Sequence, residues 1–140
     1  WKLDNYVRNP VVLVDHNYRV GAIVGSSVPR IVGKKLKIRV TDDESEENDN
    51  AATVIRLRKQ GMLRAVSVGF RPLKWEKIVD KEGNWKGSYK FTEQDLLELS
   101  WVAVPANPNA TLSASSDTTE MVTLTELQAS ALRLKASAML

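Results

Sequence analysis

The strongest constraint on the fold is side-chain alternation in three short runs, NPVVLVDH at 9–16, LRAVSVGF at 63–70 and LLELSWVAV at 96–104. Branched and aliphatic residues spaced two apart suit a pleated chain that buries one face, because alternate side chains of a strand point to opposite sides. Pro10 stands where a strand can begin without its missing N–H being needed. Between the first two runs, YRVGAIVGSSVPRIVGKKLKIRVT holds two more strand-like pieces, 20–24 and 35–41, with Gly, Ser and Pro between them. The acidic run DDESEENDN at 42–50 reads as a solvated loop. Its end suits a helix start, with Asp or Asn as cap and acidic residues near the positive end of the helix dipole. Ala51, Val54, Ile55 and Arg58 then share a helical face and Gly61 follows as a stop, which predicts a helix over 50–60. KEGNWKG reads as a turn and YKFT as a short extended piece. The last alternating run is expected over 97–104 and is ended by Pro105 and Pro108.

These elements predict a mainly β chain with some α: an antiparallel β-barrel, with strands over 10–16, 35–41, 63–70 and 97–104, surrounded by a few helices. The barrel domain is expected over 1–110. Residues 111–140 are expected outside it, with TLSASSDTTE as a linker. Beyond the linker, Leu124, Leu127, Ala131 and Leu134 fall at helical spacing and predict an amphipathic helix that needs a surface to dock on. The chain opens on Trp1 rather than Met, and a strand before Trp1 is expected to be missing. That would leave an open sheet edge, a route to homo-oligomers alongside the tail helix.

Composition narrows the chemistry. With no cysteine there are no disulfides, thiol nucleophiles or cysteine-bound zinc, and a single histidine rules out a multi-histidine metal site within one chain. No metal or cofactor site is expected. Catalysis would have to use Ser, Thr, Asp, Glu, Lys, Tyr or His16. The formal net charge of +3 is spread among interspersed acids and bases, with no phosphate-tracking run, and Trp1, Trp75, Trp85 and Trp101 are scattered. A small basic β-barrel that binds nucleic acid is therefore disfavoured. No apolar run approaches the ~20 residues of a membrane-spanning helix.

Three polar residues stand out in the alternating runs. Val12, Val14 and His16 share a face in the first, with Asp15 on the other side. In the second, Ser67 shares its face with Leu63, Ala65 and Gly69, and such small neighbours let a peptide backbone approach. In the third, Glu98 lies on the face of Ser100, Val102 and Val104, where a carboxylate must be paired if it is buried. A serine hydroxyl becomes a nucleophile when a base takes its proton, imidazole can do so near neutral pH, and a third group fixes the imidazole's tautomer. Spacing alone does not bring the three together. His16 as a turn residue beside Asn17, Ser67 bonded to a neighbouring carbonyl, and Glu98 paired with Arg64 or Lys74 at the surface account for the same pattern.

Taken together, NPVVLVDHN, LRAVSVGF and LLELSWVAVPANPNA, in this order over roughly residues 1–110, resemble the prohead protease family of tailed bacteriophages. These are capsid-maturation serine proteases, distantly similar to herpesvirus assemblins. The resemblance implies a herpesvirus-protease-like barrel and a self-processing serine endopeptidase. It implies action inside the prohead, in the host cytoplasm, on scaffold protein and on the scaffold-like segment of the major capsid protein. Carried over residue by residue, His16 matches the base, Ser67 the nucleophile and Glu98 the acidic third position. Assemblins use a second histidine as third member; this chain has none, so a carboxylate takes that place or the site is a Ser–His dyad, with Asp95 and Glu93 standing behind Glu98. The alternative is a non-catalytic capsid-assembly module of the same fold, fused to scaffold, in which His16 and Ser67 lie far apart.

Overall fold

The valine-rich run after Pro10 becomes a short strand, β1 (Val11–Val14), and everything near the site is placed relative to it. In the computed structural model, which describes residues 1–113 and 120–124, it is followed by β2 (Ile23–Val32), β3 (Lys35–Asp42), helix α1 (Asp49–Lys59), β4 (Val66–Val79), β5 (Trp85–Trp101), β6 (Thr111–Ser113) and β7 (Glu120–Leu124). The strands form one sheet in the order β4-β5-β1-β2-β3-β7-β6.

The sheet is mixed rather than antiparallel. β1 pairs antiparallel with β2 but parallel with β5, through Val12↔Leu99, Leu13↔Ser100 and Val14↔Trp101. Alternation tells which face a side chain takes; it does not tell the direction of the neighbouring strand. Nor is the sheet a barrel closed by a ladder. Among the described residues its two ends meet through Val66 N–H to Ala110 C=O at 3.1 Å and Leu112 N–H to Arg64 C=O at 3.2 Å, with no strand ladder between them. In place of several surrounding helices, the described residues contain one α-helix and two short 3-10 turns.

Several boundaries also differ from expectation. The strand expected over 10–16 stops at Val14, and β2 runs straight through the Gly, Ser and Pro residues expected to interrupt it. The strands expected over 63–70 and 97–104 are parts of one long hairpin, β4 and β5, of 14 and 17 residues. Its tip is built on Asp80, whose Oδ1 accepts the Glu82 and Asn84 N–H groups at 3.1 and 2.7 Å. Thr111–Ser113 and Glu120–Leu124, expected as linker and helix start, are strands: β6 pairs with β7, and β7 with β3. The rest of the expected tail helix, with Leu127, Ala131 and Leu134, lies outside the described residues.

Helix α1 follows its sequence signals. The Asn48 side chain accepts the Ala51 N–H at the N-terminus. At the other end Gly61 takes φ +71°, with Gly61 N–H to Arg58 C=O and Met62 N–H to Leu57 C=O. Those two bonds are a Schellman stop, which needs a left-handed residue where glycine stands. Ala51 and Val54 are buried on the core side. Arg58 reaches from the same helix to Asp42 with two contacts of 2.5 and 2.6 Å and lies 4.4 Å from the centre of the Trp101 ring. The core joins Val12, Val24, Leu36, Ile38, Val66, Leu96, Leu99 and Trp101.

Candidate active site

Pairing between β4 and β5 sets Ser67 opposite Ser100 and Gly69 opposite Glu98. Directly opposed residues of antiparallel strands project to the same side, so these four share one face of the sheet. Val66, Leu99 and Trp101 take the other face, into the core. Glu98 is buried at 1% exposure, where a carboxylate needs partners for both oxygens. It has them. His16 Nδ1 lies 2.6 Å from Oε1, and the Ser100 hydroxyl donates to Oε2 at 2.5 Å. Ser100 Oγ in turn accepts the His16 backbone N–H at 3.2 Å. Gly69 makes the room: a Cβ there would sit 2.5 Å from Glu98 Oε1.

His16 reaches this face by leaving the strand. Continued alternation would have kept it with Val12, which is packed in the core. Instead Asp15 and His16 both take left-handed backbone, φ +52° and +53°, and Asn17 N–H bonds to Val14 C=O at 3.1 Å. Two central residues of positive φ are the signature of a type I′ turn, which reverses the chain tightly, and Asp, Asn and His tolerate that region better than most residues. The Asp15 N–H still holds the last ladder bond, to Trp101 C=O at 2.9 Å, so the turn is pinned to β5. The expectation that His16 shares a strand face with Val12 and Val14 is thereby corrected.

The bond to Glu98 raises the imidazole above its ordinary pKa of 6.5, with further support from the charges of Glu98 and, least, Asp15, against a lowering by burial. With Nδ1–H donated to Glu98, the neutral ring keeps Nε2 as an acceptor on a side chain that is 39% exposed. This is a carboxylate–imidazole pair able to take a proton from a hydroxyl brought to Nε2.

The two serines that face each other differ. Ser100 is fully buried, with its hydroxyl used by Glu98 and His16. Ser67, 6% exposed, makes no side-chain bond to His16 among the described hydrogen bonds. Asp95 and Glu93, considered as substitutes for Glu98, are held elsewhere: Asp95 by Arg71 at 2.8 Å and Asn5 at 2.6 Å, Glu93 by Lys74 at 2.9 Å. Sequence reasoning passed over Ser100 although it lies two residues from Glu98 on the same face, the one signal that could have found it. Among the described residues no group of three or more His, Asp or Glu side chains is placed to hold a metal ion.

A family model for the Caudovirus prohead serine protease matches residues 31–124. The matched stretch contains Ser67, Glu98 and Ser100; His16 precedes it. No curated protein and no solved structure matches the chain. Covering well over half of the sequence, the match makes the chain a member of the Caudovirus prohead serine protease family.

Proposed function

We propose that the chain is the endopeptidase of prohead maturation, with Ser67 as nucleophile, His16 as general base and Glu98 as the acid that orients it. The observation that carries this is the buried Glu98 carboxylate bonded to His16 Nδ1 on the face that also bears Ser67. In this reading Nε2 takes the Ser67 proton as Oγ attacks the scissile carbonyl, and then returns it to the leaving amine. Water repeats the sequence on the acyl-enzyme. Glu98 holds the productive tautomer and favours the imidazolium that forms in each half. A resting Ser67 without a bond to His16 is compatible with this, because such contacts often tighten only when substrate binds.

The substrates in this proposal are scaffold protein, the scaffold-like segment of the major capsid protein and the chain's own tail, cut within the prohead. The two backbone bonds between the ends of the sheet are what supports a herpesvirus-protease-like barrel in this proposal. The test is cleavage of purified scaffold and capsid precursors, with fragments mapped by mass spectrometry. Discrete cuts by the wild type that vanish in Ser67→Ala, with the fold retained by circular dichroism, are expected. Cuts that persist in Ser67→Ala would place the nucleophile elsewhere. No cuts at all would favour the assembly-module reading.

A further inference from the structure

A cleft of about 340 Å³ opens beside the His16–Glu98 pair, between β1, the loop after it and the middle of β5. Glu98 forms part of its lining, so the cleft adjoins the candidate active site through that residue. Leu13 also lines it, paired with Ser100 and therefore on the same face of the sheet. The volume is at the lower end of the ~300–1,000 Å³ of sites that hold small ligands, which suits one large side chain rather than a cofactor.

Among the polar groups around the cleft, Glu98 and Tyr6 are already used within the protein, while Arg19 adds a positive charge to the lining. Both Glu98 oxygens are bonded, to His16 and Ser100. The Tyr6 hydroxyl donates to Val11 C=O at 2.9 Å and meets Ser27 Oγ at 2.6 Å, so it is the ring that faces a ligand. Burial pushes that phenol up to about 12, so it stays neutral. Asn5 Nδ2 donates to Asp95. A cationic side chain entering here would lose its hydration and meet the like charge of Arg19 rather than a free carboxylate.

The rim, by contrast, exposes apolar residues. Tyr18 is 73%, Val20 84% and Leu97 45% exposed. Leu97 is outward because β5 bulges there: Gly69 pairs with Glu98 and Phe70 with Leu96, which leaves Leu97 without a partner. Bulges beside active sites commonly re-aim a side chain in this way.

Resting on the protease reading above, we infer that this cleft is a specificity subsite that takes a bulky uncharged side chain of the peptide substrate next to the cleaved bond. Aliphatic and aromatic residues bury against Leu13, the Tyr6 ring and Leu97, while Lys and Arg are rejected.

The test profiles wild type and Leu97→Glu with one peptide library built on a cut site mapped in scaffold, each position varied through Leu, Phe, Ala, Asp and Lys. Wild type is expected to favour Leu and Phe over Lys at least tenfold at one position near the cut, the scale expected for apolar pockets. Leu97→Glu, whose substitution sits at an exposed bulge, is expected to shift that position alone toward Lys. Calorimetry of the Leu and Lys peptides on Ser67→Ala gives a reading independent of turnover, with the Leu peptide binding tighter. Cleavage that tolerates Leu and Lys equally at every position would overturn the subsite. So would a profile that Leu97→Glu leaves unchanged. Absence of any cleavage, with equal weak binding of both peptides, would instead sink the protease reading itself.

Discussion

Gly69→Ala adds one methyl group to β4 and should disable the site from behind. The new Cβ would lie 2.5 Å from Glu98 Oε1, 3.0 Å from Cγ and 3.1 Å from Cδ. Ordinary contact begins at 3.4 Å, so the oxygen must retreat by about 0.9 Å. The His16 bond starts at 2.6 Å, and the same retreat carries it to the limit of hydrogen-bond geometry. Overpacking a well-filled site costs about 1–3 kcal/mol, and a bond to a charged group contributes about 1.5–3 kcal/mol. Moving the carboxylate relieves part of the clash, so the two do not add in full. Replacing a strand glycine returns about 0.5–1 kcal/mol of chain entropy. The net loss should be about 2 kcal/mol. Urea unfolding measures it, and NMR reads the cause directly, since His16 is the one histidine and its ring protons need no assignment. The imidazole pKa, raised in wild type, should fall toward 6.5 in Gly69→Ala. An unchanged urea midpoint with an unchanged His16 titration would refute the packing argument.

Further outcomes follow from the same contacts. Because His16 must be neutral to act as base and its pKa is raised, proteolysis should rise with pH through an inflection above 6.5; Glu98→Gln should slow the reaction and move that inflection down. The stability that the raised pKa contributes runs the other way: present in full below 6.5, it is lost as pH rises through the folded-state pKa, so wild type and His16→Asn should converge in stability at alkaline pH. Ser100→Ala should cost about 1–3 kcal/mol by leaving Glu98 Oε2 buried without its donor, and should slow turnover without abolishing it. Asn48→Ala should cost about 1–2 kcal/mol by thermal unfolding, through loss of the helix cap, and leave the His16 titration unmoved.

How much of this was legible in the sequence depends on range. Local signals held: an Asn cap at the end of the acidic run, the stop at Gly61, and the placing of Val66, Leu99 and Trp101 on the face opposite Ser67 and Glu98. What failed was set by partners far along the chain. The parallel pairing of β1 with β5 has no trace in either strand's alternation. The bulge at Leu97 reverses the pattern midway, so Leu96 is in the core and Leu97 outside, opposite to simple counting. β6 lies in a segment whose composition favours a linker and β7 ends where a helical pattern begins; β7 is a strand because it pairs along β3, and β6 because it pairs along β7. The site shows the same division. Glu98 was flagged because a carboxylate among leucines needs a reason, and its burial supplies one. His16 was flagged for the wrong local cause, since a left-handed turn rather than a strand face brings it to Glu98.

The central claim is that Ser67 is a nucleophile made reactive by His16. It is tested most directly by treating the full chain with a fluorophosphonate and locating the adduct by peptide mass spectrometry. One adduct is expected, on the peptide that holds Ser67, growing faster at pH 8 than at pH 6 and absent in His16→Ala. No adduct under any condition, or an adduct that forms equally well without His16, would contradict the account.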